Sequence, residues 1–333
     1  MTNQVFTDAA NWIGAGMAPG CAIVLAGKDK RESFVCGTFS GPGSQAVSID
    51  TVYDAASITK LFTAALILRL HEQGKLSIYD RCERYLDNFH SSELKIVDLL
   101  THRANFGIRL SEYRLRFPDS DSLYNALMQF KPPARAAPDI TYANLEFFYL
   151  GIIVERITGN SLHDELKALF DMLGLHDTCT GPDVAQLHLS VPPTEIVDGQ
   201  VIQGVTHDET ARMLGGLTGH AGIFSTASDL STFGQAWLEG KIVNEQTFKN
   251  LVCKDYDPSG KLPQALGWWM RVTTPDGVIS TPGVLSHTGF TGPFLTICPA
   301  TDKVGAFVCN RTYYGRDNTE QRHIWKELVT WVC

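Results

Sequence analysis

The texture of the chain changes twice, and that pattern limits the available folds more than any single motif does. Runs of β-branched and aromatic residues lie near both ends, at 21–26, 33–39, 265–272, 294–298 and 304–309. Between about 57 and 240 the apolar residues instead recur at helical spacing. Strands so far apart can share one sheet only if both termini build it and the middle is inserted. The expected fold class is α/β (α+β), an antiparallel sheet flanked by terminal helices with an all-helical inserted domain. The matching division is 1–60 with 231–333 for the sheet domain and 61–230 for the insertion.

Local signals fill in this outline. Residues 5–15 place Val5, Phe6, Ala9, Trp12 and Ile13 on one helical face, and Pro19-Gly20 breaks the chain after them. The runs 21–26 and 33–39 flank the charged turn Lys28-Asp29-Lys30-Arg31 and read as a hairpin. Residues 58–73 are apolar nearly all round, which marks a buried central helix, with Gly74 as its stop. Further helices are expected at 96–101, 120–129, 144–158 (closed by Gly159), 161–172, 228–239 and 320–332.

Composition excludes several function classes. With 44% hydrophobic residues the chain can bury a sizeable core. Lys+Arg 28 against Asp+Glu 36 gives a net charge of −8, and no basic cluster offers a nucleic-acid footprint. No segment reaches the ~18 apolar residues of a membrane helix, and the first residues carry no secretory pattern. The expectation is a cytoplasmic protein acting on a small molecule, without nucleic-acid or membrane partners. Eight cysteines without a C-x-x-C pair fit reduced thiols, with disulfides as the lesser alternative.

Three short motifs can carry chemistry. In Ser57-Ile58-Thr59-Lys60, helical spacing sets the hydroxyl beside the amine. A buried, neutral lysine can take the serine proton, and the helix N-terminus favours developing negative charge. About one chance S-x-x-K match is expected in a chain of this size, and Ser92-Glu93-Leu94-Lys95 is a second one. Its Ser92 reads as an N-cap on a solvated face, whereas the apolar helix after Ser57 would bury Lys60. In Tyr142-Ala143-Asn144 a phenol beside an ammonium ionises more readily and relays protons, while the amide can hold lysine and substrate. The alternative is a half-buried tyrosine with a helix-capping asparagine. His287-Thr288-Gly289 fits an edge strand that accepts substrate alongside it, or a histidine in a glycine-rich turn.

The order of the three motifs is more specific than any one of them. Together with Asp98-Leu-Leu-Thr-His102 and Ala221-Gly222-Ile-Phe-Ser-Thr-Ala-Ser-Asp229, the chain resembles the serine β-lactamase and penicillin-binding-protein superfamily. The resemblance is to its class C-like, peptidase S12-type branch, which includes esterases and D-amino-acid peptidases. It implies the β-lactamase/transpeptidase fold and an acyl-serine hydrolase needing no cofactor or metal. Ser57 would be the nucleophile, Lys60 its activator, Tyr142 the proton relay and Asn144 the residue orienting lysine and substrate. The backbone amides of Ser57 and Phe290 would form the oxyanion hole, with His287, Thr288 and Gly289 binding substrate.

The chain departs from the family pattern at His287, where lysine is usual. A histidine is mostly neutral at pH 7, so weaker carboxylate binding and slow penicillin hydrolysis are expected. Thr101-His102-Arg103-Ala104-Asn105 departs too and reads as loop variation. His207 and Asp208, in a segment running on to Glu209, can contact a polar substrate or belong to a capped structural crossover. Arg311 can receive the carboxylate that His287 does not hold. One residue of each pair Trp268-Trp269 and Tyr313-Tyr314 is expected in the core and the other at the cleft. The competing functional readings are a catalytically inactive scaffold or sensor and, through His207, Asp208 and His220, a metallohydrolase.

Overall fold

In the computed structural model, which describes residues 4–90, 92–187 and 190–333, both ends of the chain meet in one antiparallel sheet. Its strands are β1 (Gly20–Gly27), β2 (Lys30–Gly37), β3 (Leu285–Thr288), β4 (Phe294–Cys298) and β5 (Lys303–Cys309). Their order is β3-β4-β5-β1-β2. The central pairing sets Cys21 opposite Cys309 and Ala26 opposite Val304. β1 is buried on both faces, which is why it reads as an unbroken apolar run rather than an alternating one.

The two faces of β1 belong to different cores. Cys21, Ile23 and Leu25 join the cluster under the terminal helices α1 (Gln4–Gly14) and α5 (Arg322–Val332). There Trp12 meets Phe307 edge-on and Phe294 stacks on Trp325. Ala22, Val24 and Ala26 face the larger cluster with α2 (Thr59–Glu72), α3 (Asn144–Thr158) and α4 (Ala227–Leu238). Phe62 of α2 stacks on Phe233 of α4 at 3.9 Å between ring centroids. α2 is buried around almost its whole circumference, as its composition requires.

Several elements fall where the sequence puts them. Helices cover Ser120–Gln129 and Asn144–Thr158, the first capped by the Asp119 side chain and the second closed by Gly159 at φ 75. All eight cysteines are free. Other elements differ. The run 265–272 is not one strand: Gly267, at φ 76, turns the chain, and the strand begins only at Arg271–Thr274, paired with Gly277–Ser280. Ser92 is not an N-cap on a solvated face. It is buried, its hydroxyl donates to the Pro133 carbonyl, and Lys95 is the residue that precedes the helix Ile96–Leu100. A small sheet of Tyr53–Asp54, Ile223–Ser225 and Cys179–Thr180 joins the segment before α2 to the inserted region, which also holds the hairpin Glu195–Val197/Gln200–Ile202. The 230/231 boundary falls inside α4, a helix packed against β1, β4 and β5. No helix among the described residues is long and apolar enough to cross a membrane.

The glycine-rich stretch 215–222 lies directly on α3. A Cβ at Gly219 would stand 2.0 Å from the Phe147 carbonyl oxygen and 2.9 Å from the Gly151 nitrogen, both immovable backbone atoms. Gly219→Ala should therefore lower stability by about 1–3 kcal/mol, the usual range for overpacking. Gly14→Ala, with nothing within 4 Å, serves as the control. Urea midpoints of the two variants check this.

Candidate active site

The site begins with a strained turn. Ser57 sits in a 3-10 turn, Ala56–Ile58, that leads into α2, and Ala56 has φ 46, a left-handed conformation unusual outside glycine. Asp54 holds the turn in place. One carboxylate oxygen accepts the Ala56 N–H at 2.7 Å and the other the His207 N–H at 2.7 Å. The Asp54 carbonyl accepts the Thr291 hydroxyl at 2.8 Å. A single buried residue thus fixes the nucleophile turn, the 207 segment and the loop after β3 relative to one another. Burial pushes its carboxyl up, against the lowering effect of those two amides.

Lys60 lies one turn after Ser57 and is completely buried. Its Nζ donates to Ser57 Oγ at 2.9 Å, to Asn144 Oδ1 at 2.9 Å and to the His220 carbonyl at 3.2 Å. Burial lowers its pKa from 10.5 to about 7, although Asp208 favours the ammonium. Ala143 occupies the N-cap position of α3, so the Asn144 side chain is free of capping duty. Its Nδ2 donates to Asp208 at 3.3 Å, and Asp208 in turn meets His220 Nε2 at 3.2 Å. Burial works to raise the Asp208 carboxyl, but His220, the Ala211 amide and Lys60 outweigh it and keep it ionised.

The Tyr142 hydroxyl donates to Ser57 Oγ at 2.8 Å. Its ring edge is exposed while the hydroxyl reaches inward to the serine. Burial raises its pKa and Asp208 adds to that, outweighing the Ser57 hydrogen bond. The phenol is thus held in its protonated form, contrary to the easier ionisation expected from a neighbouring ammonium. Ser57 Oγ thus accepts from two donors, Lys60 on α2 and Tyr142 just before α3.

β3 lies at the sheet edge, paired with β4 on one side and bridged through its backbone to Trp269 at Ser286 on the other. Beyond it the chain turns sharply, with the Gly289 N–H on the Pro293 carbonyl at 2.7 Å. A Cβ at Gly289 would be 2.6 Å from the Ala55 carbonyl oxygen, so only glycine allows this turn to reach the nucleophile turn. Phe290 is brought to the cleft in this way. A cavity of about 290 Å³ opens here, lined by Ser57, Tyr142, Asn144, Trp269, Thr288 and Phe290 among others.

The remaining residues singled out in the sequence divide. His207 and Asp208 line the cavity. The His207 ring stacks on Phe290, and its Nε2 is 3.0 Å from Glu195. His207 and His220 thus pair with different carboxylates. His287 is fully buried behind Trp269 and Tyr142, with ring centroids 4.7 and 6.2 Å away, and backs the cleft without lining it. Its Nδ1 donates to the Thr288 carbonyl at 2.9 Å, and burial lowers its pKa to about 3, so the ring is neutral.

Arg311 is not in the cleft, which corrects its expected role. Its guanidinium donates to the Arg316 and Asn318 carbonyls and packs 4.9 Å from the Phe290 ring centroid. Arg316 lines the cavity instead, paired with Glu195 and Glu209 at 2.6–2.7 Å. Of the aromatic pairs, Trp268 is core and Trp269 lines the cavity. Tyr313 and Tyr314 lie in a short 3-10 turn, and neither is in the core or the cavity lining. Arg316 follows a loop glycine with no periodicity to mark it, and Glu195 is remote in sequence. His102 and Glu146, a buried pair against Tyr142, were also missed: only spatial contact joins them, 44 residues apart.

Comparison with known proteins now has this geometry to stand on. The profile of the Beta-lactamase family matches residues 9–329. The chain belongs to the beta-lactamase family. A protein of Salmonella schwarzengrund, provisionally named as a D-alanyl-D-alanine carboxypeptidase, is 27% identical over 308 residues, covering 79% of this chain and 70% of that protein. Among solved structures, a class C beta-lactamase from Rhodobacter sphaeroides superposes with a TM-score of 0.74 at 21% identity, covering 99% of both chains. A beta-lactamase/D-alanine carboxypeptidase from Pseudomonas syringae gives a TM-score of 0.76 at 20% identity, covering 98% of this chain and 97% of its own. At these identities the likeness establishes the fold: mixed α/β with an antiparallel sheet. Membership makes this chain a beta-lactamase-family serine hydrolase.

The lowered pKa of Lys60 sets two pH dependences of defined sign. Only the neutral amine can accept the serine proton, so kcat/KM for an ester should rise through one ionisation near pH 7. His287, titrating near 3, should add no step between pH 5 and 8. In stability the unfolded lysine titrates near 10.5 and binds more protons than the folded one between about 7 and 10.5, so this group makes stability rise with pH across that window. Lys60→Met should abolish the kinetic ionisation and flatten that part of the stability profile, as measured by pH–rate curves and denaturant titrations.

Proposed function

We propose that this protein cleaves an ester or amide of a small substrate through an acyl-serine intermediate on Ser57. The observation that carries the reading is the convergence of Lys60 Nζ and the Tyr142 hydroxyl on one serine oxygen, at 2.9 and 2.8 Å. Neutral Lys60 takes the Ser57 proton as Oγ bonds to the substrate carbonyl carbon. The negative charge that develops on the carbonyl oxygen is met by the Ser57 and Phe290 amides, a type of donor typically worth about 3–4 kcal/mol each. Tyr142 gives its proton to the leaving alcohol or amine as the carbonyl–leaving-group bond breaks, and Lys60 returns one to Tyr142. Water then repeats the sequence to release the acid.

Among acyl groups, the relatives' names favour D-amino-acid derivatives. The electrostatics favour esters and amides over substrates that need a firm grip on a free carboxylate. His287 is neutral, Arg311 is turned away, and Arg316 is shared by two carboxylates. Efficient penicillin hydrolysis is not expected. The cytoplasm as the place of action, and muropeptide fragments as one substrate group there, belong to the same proposal. An inactive scaffold is the competing reading, and the complete Ser57–Lys60–Tyr142 contact set argues against it.

Intact-mass spectrometry after exposure to a fluorophosphonate, and separately to a penicillin, tests this reading on wild type and Ser57→Ala. One phosphonyl adduct that disappears in the variant is expected, with slow or no penicillin adduct. D-alanyl esters should then turn over at least tenfold faster than D-alanyl-D-alanine. Absence of any adduct would favour the scaffold.

A further inference from the structure

A buried carboxyl–imidazole pair lies against the catalytic tyrosine, and the acyl-serine steps above make no use of it. His102 follows the helix Ile96–Leu100, Glu146 is in the first turn of α3, and both side chains are fully buried. His102 Nδ1 and Glu146 Oε2 are hydrogen-bonded directly, and Oε1 accepts the Ala104 N–H at 3.1 Å. His102 grips the chain on both sides of Tyr142. Its carbonyl accepts the Thr141 N–H at 2.9 Å and its Nδ1 accepts the Ala143 N–H at 3.4 Å. Its ring packs on the Tyr142 ring, with centroids 4.7 Å apart. The loop that supplies these contacts contains two left-handed residues that are not glycine, His102 at φ 56 and Asn105 at φ 47. Such a conformation persists only where surrounding bonds over-determine it.

The proton count follows from the same contacts. In the tautomer whose Nδ1 accepts the Ala143 N–H, the proton in the His102–Glu146 bond comes from the carboxyl and the Nε2 hydrogen is buried without a hydrogen-bond partner. Burial acts in the same direction, raising Glu146 and lowering His102. The charged and titratable groups facing the pair are Lys60 on α2, Tyr142, Asp98 before the 102 loop, His287 on β3 and Arg271. Lys60 Nζ is 5.0 Å from the Tyr142 ring centroid and 5.8 Å from that of Phe147, so a net charge on the pair would act on it through a water-poor interior.

We propose that Glu146 and His102 form a net-neutral positioning pair, which aims the Tyr142 hydroxyl at Ser57 while adding no second charge beside Lys60. The proposal rests on the acyl-serine reading for its kinetic test alone.

The experiment compares Glu146→Gln, Glu146→Ala and His102→Phe with wild type, using a p-nitrophenyl ester across pH 5–9 and circular dichroism to check folding. Glutamine keeps a neutral donor toward Nδ1 and an acceptor for Ala104. It should hold kcat within about threefold and leave the ionisation near pH 7 unmoved. Glu146→Ala and His102→Phe should lower kcat at least tenfold with KM nearly unchanged. Full kcat in either of these two would overturn the positioning role. So would a Glu146→Gln variant as slow as Glu146→Ala, or a loss shared equally by kcat and KM.

A net-negative pair would stabilise the Lys60 ammonium, so its neutralisation by glutamine would move the ionisation to lower pH; that shift would overturn the net-neutral assignment. Infrared spectroscopy gives an answer without turnover. A buried protonated-carboxyl band present in wild type and lost in Glu146→Gln is expected, and a carboxylate signal in its place, with a singly protonated His102 by nitrogen NMR, would overturn it. If wild type forms no acyl-enzyme, the hydrolase reading fails while this spectroscopic test still decides the pair's charge.

Discussion

An ammonium group buried without a counter-ion in direct contact is the constraint that organises this molecule. Lys60 Nζ has three neutral oxygen acceptors, from Ser57, Asn144 and the His220 carbonyl, contributed by segments up to 160 residues apart. Those oxygens keep a charge tolerable in the core, and burial moves the amine's ionisation to about 7. Each acceptor also fixes a separate part of the fold. Ser57 anchors the nucleophile turn, Asn144 the start of α3, and His220 the glycine stretch that lies against it. The packing around α2 and the chemistry at its first turn are therefore one problem with one solution.

The joint between the sheet edge and the nucleophile turn depends on a close backbone approach. Gly289 permits the loop after β3 to touch the Ala55 carbonyl, and Asp54 bonds to amides on both sides of the crossing. Thr291 closes the same joint through the Asp54 carbonyl. The proposed oxyanion site, two amides on two different turns, would need that rigidity, because a displacement of one turn moves one donor and not the other. The strain stored at Ala56 is affordable only because Asp54 holds its amide.

Much of this was legible in the sequence because it depends on period and spacing. The helices at Ser120–Gln129 and Asn144–Thr158 and the strand Phe294–Cys298 follow from apolar patterning and end signals at the residues expected. Ser57 and Lys60 could be placed on one face because three residues make nearly one helical turn. The tilt of the chain at Gly267 could not be read in the same way, since a single left-handed residue leaves no period behind. Nor could the partners of Arg311 and Arg316. Five residues separate two arginines of equal chemistry, and the 3-10 turn Arg311–Tyr314 turns one toward carbonyls and leaves the other facing Glu195 and Glu209. The role of His102 was hidden for a related reason, because its meaning lies in Glu146.

The substitution of histidine for lysine in the third motif makes sense in this setting. Burial lowers the pKa values of three imidazoles, those of His102, His220 and His287, and the Lys60 charge nearby lowers each of them further. Each also has a specific oxygen partner: Glu146, Asp208 and the Thr288 carbonyl respectively. All three stay neutral, and Lys60, in direct contact with the serine, changes charge around pH 7. A lysine at 287 would bring a second ammonium into the space enclosed by Trp269 and Tyr142, where neither ring offers it an anion. It would press the ionisation of Lys60 further down and compete for the Tyr142 face. The histidine thus spares the buried surroundings of Lys60 a second ammonium.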